Sequence, residues 1–397
     1  MNNMRGKKIV VACKTSWDRV TEVEGNCSAR SCGMPSKNQE TVESTLDRGV
    51  RNGVFSGAAL LVGREGRVVL QETTGCASMD EGDQAITKET IFDLASLTKP
   101  LATALAAMKL VDEKKIDLDS PLADMLPVDI PEDKAAITSR LLLCHGAGMI
   151  DWQPFYEELM NHPSEARKRL MREWILAAPL KYKPGKGVLY SDLGFMLLEW
   201  IIEVVCGMPL PQYVGSQFYQ PLSLKMLSFS ENNRPKYPPE RYAATEDCPW
   251  RGRVLRGVVH DDNAYALGGY SGHAGLFGGA LDCYAVVNLL REHYRGLRED
   301  YLKASTVRAF FTRQDITKGS TWALGWDTPS KTGSSAGRYF SQKSVGHLGF
   351  TGTSLWMDLE KDVIVILLTN RVHPARANEK IKAFRPQLHD AIMKALS

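Results

Sequence analysis

Ser96 and Lys99 stand three residues apart in the stretch FDLASLTKPLATALAAM, Phe92–Met108, with Pro100 directly after the lysine. On a helix, residues three apart share a face one turn apart, so this hydroxyl and this amine can meet. A serine hydroxyl becomes a nucleophile when a base stands beside it. Lysine titrates near 10.4 in water, and burial or nearby cations lower that value toward a range where the amine can accept a proton. Pro100 has no N–H and is tolerated in a first helical turn, which predicts a helix start close to Ser96. The same proline disfavours helical backbone at Lys99. A helix start presents free N–H groups and the positive end of a dipole, so a nucleophile there carries an oxyanion donor in its own backbone. Ser-x-x-Lys alone is a weak signal, expected by chance about once in a chain of this length, and an N-cap serine is an ordinary structural feature.

Two further stretches offer partners. GVLYSDLGFMLLEWIIEVVCG sets Tyr190, Ser191 and Asp192 at the start of an apolar helix that ends at Gly207. Tyr190 there is either a packing residue or a second acid/base group beside Lys99, because nearby cations hold a phenol partly ionised. GHLGFTGTS, Gly346–Ser354, reads as a Gly-rich strand that a substrate backbone can approach closely.

These stretches together resemble the penicillin-recognising serine hydrolases, in particular the class C β-lactamase-like branch. That branch includes family VIII carboxylesterases, D-Ala-D-Ala carboxypeptidases and muropeptide amidases. The family's Ser-x-x-Lys matches Ser96 and Lys99, its Tyr-x-Asn looks like Tyr190-Ser191-Asp192, and its Lys-Thr-Gly looks like His347-Leu348-Gly349. ITSRLLLCHGAGM resembles a further family segment, and the likeness runs from about Gln39 to Ala395. The resemblance implies a nucleophile at Ser96, shared general-base and general-acid work by Lys99 and Tyr190, and an oxyanion hole from the N–H groups of Ser96 and Phe350. It implies substrate contacts at Asp192, His347 and Gly349, and no cofactor or metal.

The departures bear on substrate. Asp192 replaces an amide, and a carboxylate there tends to keep Lys99 protonated. His347 replaces the lysine that helps hold a substrate carboxylate. A histidine with an ordinary pKa near 6.5 holds an anion less firmly and changes charge between about pH 5.5 and 8. The expected substrate is therefore a small ester, with carboxylesterase as the leading activity. β-Lactam, D-Ala-D-Ala or muropeptide amide hydrolysis is the alternative, and a non-turnover sensor of the same fold is a third reading.

Some motif matches lack the right surroundings. Lys331-Thr332-Gly333 is a literal Lys-Thr-Gly, and Gly333–Gly337 satisfies Gly-x-Ser-x-Gly, but the stretch is Ser/Gly-rich without apolar alternation. A nucleophile elbow needs a strand before it and a helix after it, so a loop is predicted. LGGYSGHAGLFGGA, Leu267–Ala280, lacks a phosphate-loop pattern and leads into a helix near Leu281. His145 and His273 read more readily as structural histidines than as cleft groups. No metal-ligand spacing is present.

The elements that must hold these residues come from both chain ends. GAALLVGREGRVVLQETTG reads as a hairpin turning at Arg64–Gly66. Leu355–Asp358 and Val363–Thr369 read as two more strands, the second apolar enough for a central position. A helix is expected from about Gln39, and another from Ala377 to Leu396 that Pro386 should kink or interrupt. Residues about 90–300 carry mainly helical patterns. The predicted fold is α+β, β-lactamase/transpeptidase-like: an antiparallel sheet flanked by terminal helices, with a mainly helical insertion. Residues 1–37 read as an extension and 38–397 as one hydrolase domain, its site in the cleft between sheet and insertion.

Bulk properties agree. The 397 residues are 44% hydrophobic and 24% charged, enough for a large core, and the net charge of +3 with no long basic run implies no nucleic-acid partner. The eight cysteines form no Cys-x-x-Cys pair and read as reduced thiols. No stretch approaches the roughly 20 apolar residues of a membrane span. The apolar piece Ile9–Cys13 is shorter than the roughly 7–15 residues of a signal sequence, so a cytoplasmic location is expected rather than lipoprotein export.

Overall fold

A computed structural model describes residue 34, residues 36–79 and residues 84–397; the extension before residue 34 lies outside the described residues. In chain order the main elements are α1 (Ser36–Arg51), β1 (Gly57–Arg64), β2 (Arg67–Gly75), α2 (Ala104–Asp112), α3 (Ser164–Ala177), α4 (Asp192–Cys206), α5 (Ala280–Tyr294), β3 (Ser344–Leu348), β4 (Ser354–Asp358), β5 (Val363–Thr369) and α6 (Ile381–Ala395).

The hairpin forms where expected. Glu65 and Gly66 both have positive φ, 52° and 78°, as the two-residue turn between twisted strands requires. The five strands make one antiparallel sheet in the order β2-β1-β5-β4-β3, so the two chain ends meet at the β1/β5 pair, with Leu60 opposite Leu367. β5 is buried on both faces, and its period of two divides its side chains between two cores. Val363, Val365 and Leu367 face the terminal helices α1 and α6. Ile364, Ile366 and Leu368 face the larger core built with α5 and the helical region.

Three details differ from the sequence reading. Pro386 lies inside α6 and does not end it. The Gly-rich segment is strand only to Leu348; Gly349–Thr353 is the turn that returns the chain into β4. Three short strands inside the helical region also form a small sheet, Phe92–Asp93 and Ser228–Phe229 on either side of Leu276–Gly278. Among the described residues no single helix is long and apolar enough to cross a membrane.

Candidate active site

Ser96 sits on a strained turn. Ala95 has φ 47°, an uncommon conformation for a residue with a side chain. Asp93 holds that turn: its carboxylate accepts the Ala95 N–H at 2.8 Å and the His260 N–H at 2.7 Å. Thr98 donates its hydroxyl to the Ala95 carbonyl at 2.7 Å and accepts the Leu276 N–H at 3.1 Å. The turn is thereby tied to the short central strand. Ala95–Leu97 is a 3-10 turn, and Lys99–Thr103 is a π-turn in which the Ala104 N–H reaches back to the Lys99 carbonyl. This wide turn carries Pro100 and reconciles it with a helical Lys99, after which α2 continues as a regular helix.

Lys99 is fully buried, and its ammonium has three acceptors: Ser96 Oγ at 3.1 Å, Asp192 Oδ1 at 2.6 Å and the His273 carbonyl at 3.3 Å. Burial alone would lower its pKa, but the Asp192 carboxylate outweighs burial and holds it above the ordinary lysine value. Asp192 owes its position to the start of α4. Ser191 is the N-cap, its hydroxyl accepting the Gly194 N–H at 3.2 Å and donating to the Ile150 carbonyl at 2.6 Å. Tyr190 precedes that cap, with Lys99 Nζ 4.8 Å from its ring centre. Burial raises the Tyr190 pKa, partly offset by Lys99, and the phenol is neutral at rest.

His347 ends up near Tyr190, their ring centres 6.0 Å apart, with Trp322 against both. His347 is only 2% exposed. Its Nδ1 donates to the Leu348 carbonyl at 2.8 Å, which leaves a bare Nε2 with no partner among the described residues. Burial, reinforced by Lys99, pushes its pKa down to about 3. The expected change of charge between pH 5.5 and 8 is therefore corrected: His347 is a neutral acceptor throughout that range.

His145 packs on Tyr190 at 4.6 Å and accepts the Ser191 N–H on Nδ1 at 3.1 Å, so it supports the tyrosine from behind. His273 is buried with Nε2 3.0 Å from Asp261, and its carbonyl rather than its ring reaches Lys99.

Gly349–Thr353 closes the site from the sheet edge. Thr351 and Thr353 donate their hydroxyls to the carbonyls of Asp93 and Leu94, at 2.8 and 3.2 Å, binding this turn to the segment that leads into Ser96. A Cβ at Gly349 would lie 1.9 Å from Thr353 Oγ1 and 2.7 Å from the Leu94 carbonyl, so only glycine allows this approach. Phe350 is 49% exposed and lies at the rim, stacked on His260. Among the described residues the N–H groups of Ser96 and Phe350 have no intramolecular acceptor.

Ser96, Lys99, Tyr190, Asp192, His347 and the Gly349–Phe350 turn thus converge between the sheet edge and the helical region. Lys331-Thr332-Gly333 is an exposed irregular loop with neither strand nor helix beside it. Asp93, Trp322, Thr351 and Thr353 carried no recognisable spacing in the sequence. Only the positive φ at Ala95 and the buried contacts bring them to attention.

The Beta-lactamase family model matches residues 42–388, and the chain belongs to that family. It is 31% identical over 379 residues to the N-acetylmuramyl-L-alanine amidase of Bacillus subtilis (strain 168), covering 87% of this chain and 84% of the relative. It is 34% identical over 366 residues to a Salmonella typhi protein named "Putative D-alanyl-D-alanine carboxypeptidase", covering 85% and 84%. Among solved structures, EstCE1, a hydrolase with promiscuous acyltransferase activity, shares the fold with a TM-score of 0.70 at 24% identity, over 90% of this chain and 99% of that one. The family and these relatives make the protein an enzyme of the serine hydrolase superfamily.

Proposed function

We propose that this member of the Beta-lactamase family hydrolyses small neutral carboxyl esters through an acyl-enzyme on Ser96. The observation that carries the reading is the contact of Lys99 Nζ with both Ser96 Oγ and Asp192 Oδ1. At rest the ammonium cannot accept a proton. It first passes one to Asp192 across the 2.6 Å contact, and the resulting amine takes the Ser96 proton as Oγ bonds to the carbonyl carbon. Tyr190 gives its proton to the leaving oxygen and recovers one through Lys99, after which Asp192 returns its proton to the lysine. The N–H groups of Ser96 and Phe350 receive the developing oxyanion. Water then deacylates the serine.

The ester preference rests on charge. The site presents one carboxylate, Asp192, and in place of the family's lysine a neutral His347. A substrate anchored by its own carboxylate gains little there. A second reading, an amide hydrolase acting on peptidoglycan fragments, is favoured by the two named relatives.

The test is a turnover panel of p-nitrophenyl esters, nitrocefin, a D-Ala-D-Ala peptide and a muropeptide, run beside fluorophosphonate labelling read by intact mass. Continuous ester turnover is expected, with labelling lost in Ser96→Ala. Turnover of the muropeptide alone moves the assignment to the amide reading. One stoichiometric burst that then stops identifies a sensor. Full labelling of Ser96→Ala overturns the nucleophile.

A further inference from the structure

Every carbonyl of the turn that carries Phe350 accepts a hydrogen bond, two of them within the turn: the Gly349 carbonyl takes the Gly352 N–H at 3.1 Å and the Thr353 carbonyl the Gly349 N–H at 2.8 Å. Arg385, on α6, donates to the carbonyls of Gly349 at 2.9 Å, Thr353 at 2.8 Å and Gly352 at 3.2 Å. Arg371, just after β5, donates to the Phe350 carbonyl at 2.7 Å and lies 4.5 Å from the centre of the Phe350 ring. The Thr351 carbonyl accepts the Arg371 N–H and the Thr369 hydroxyl. A trans peptide points its C=O and the following N–H in opposite directions. Arg385 and the Gly352 N–H together hold the Gly349 carbonyl, so the Phe350 N–H is aimed away from that guanidinium; among the described residues it has no intramolecular acceptor.

Arg385 is an unusual clamp. It is 6% exposed, and no carboxylate among the described residues pairs with it. The charge that acts on it most is a second cation, Arg371. Burying an unpaired cation is costly, and carbonyl dipoles alone offset it here. A neutral donor would serve if the need were only to hold a turn. A desolvated positive charge directly behind a free N–H also favours negative charge forming in front of it.

We propose that Arg385 is a positioning residue for the oxyanion hole: it fixes the Phe350 N–H and biases the site toward the tetrahedral anion. This rests on the acyl-enzyme reading above. The role is transition-state specific, so it separates from scaffold effects in kinetics.

The experiment compares Arg385→Lys and Arg385→Met with wild type in three measurements: active fraction by fluorophosphonate titration, kcat and KM on a p-nitrophenyl ester under conditions where acylation limits, and Ki for phenylboronic acid, whose adduct is a tetrahedral anion. Arg385→Met is expected to lower kcat about 10²-fold, the low end for loss of an oxyanion donor, with KM changed less than about threefold. Its boronate Ki should rise by a similar factor. Arg385→Lys keeps the charge without the fork and should recover about tenfold of both. If Arg385→Met does not fold, Arg385→Lys decides, with about a tenfold loss in kcat and in boronate affinity expected. Either variant with an unchanged boronate Ki per active site overturns the proposal. So does a loss confined to the active fraction. Failure of the parent reading shows separately, as wild-type enzyme that the fluorophosphonate does not label or that Ser96→Ala does not silence.

Discussion

At the residue scale the site is defined by who holds which proton. Ser96, Lys99 and Tyr190 were legible because their spacing places them at two helix starts. Their ionisation was legible only in sign, through the carboxylate at Asp192. The 2.6 Å contact turns that sign into a property: Asp192 keeps the Lys99 proton on. Asp192→Asn removes the anion, so the lysine pKa falls and more of it is a free amine at a given pH. The wild-type relay starts from the ammonium, whereas the variant must already hold Lys99 as the free amine, so the acidic limb of kcat/KM should move to higher pH while maximal activity above that limb stays within about tenfold of wild type. An unmoved limb in a stopped-flow acylation profile would mean that Lys99 is not the titrating base. Lys99→Ala should cost at least about 10²-fold in kcat/KM, the low end for loss of a general base. His347 was misjudged from sequence because burial cannot be read from a motif. With its pKa near 3, KM for a carboxylate-bearing ester should be flat from about pH 5.5 to about 8. A rise in KM across that range, abolished in His347→Ala, would restore the titrating histidine.

At the scale of elements, periodicity revealed what was long and repetitive: the β1/β2 hairpin, the apolar β5, and α4 with its serine cap and its end at Gly207. It missed pairs of two-residue strands, which have no period to detect and whose partner, Leu276–Gly278, is far away in sequence. It also took Gly349–Thr353 for strand, because glycine spacing does not distinguish a tight turn from a strand that tolerates close approach. The turn's demand is steric. In Gly349→Ala the new methyl meets Thr353 Oγ1 and the Leu94 carbonyl, and a backbone carbonyl cannot rotate away. The turn must therefore lift from the segment before Ser96. We expect a stability loss of about 1–3 kcal/mol, as for overpacking, and a drop in acylation of at least about 10²-fold, as for a displaced oxyanion donor. Denaturant melts and fluorophosphonate labelling rates measure the two separately. Normal labelling in a destabilised variant would mean that the turn is scaffold alone.

At the scale of the whole molecule, one sheet made from both chain ends separates two cores, and the site lies where the sheet edge meets the helical region. The architecture was readable because apolar strands at opposite ends of a chain must pair to bury both faces of β5. The pattern of buried histidines was not readable, since it depends on what packs around each ring. Burial holds His389 at about 4 and His347 at about 3, and it pushes His145 well below its ordinary value, Lys99 adding to the effect at His347 and His145. Each is neutral when folded and takes a proton more readily when unfolded, near 6.5. Their contribution is therefore complete above about pH 6.5 and is lost as pH falls toward the folded values. Asp327 acts in the opposite sense: burial raises it to about 6, so acid favours its folded form. The three histidines give a loss of stability as the pH falls from about 6.5 to 4.5, which Asp327 and other carboxyls raised by burial, Asp93 and Asp282 among them, oppose. His389 isolates one share of it, because its Nδ1 donates to the Ser335 carbonyl at 2.8 Å and an asparagine can keep that donor without titrating. His389→Asn should be less stable than wild type at pH 7 through lost packing, and the gap should narrow by roughly 2 kcal/mol at pH 4.5, the linkage value for one proton over that span. Urea melts at the two pH values measure it, and a gap that stays constant would show that His389 does not carry a depressed pKa in the folded protein.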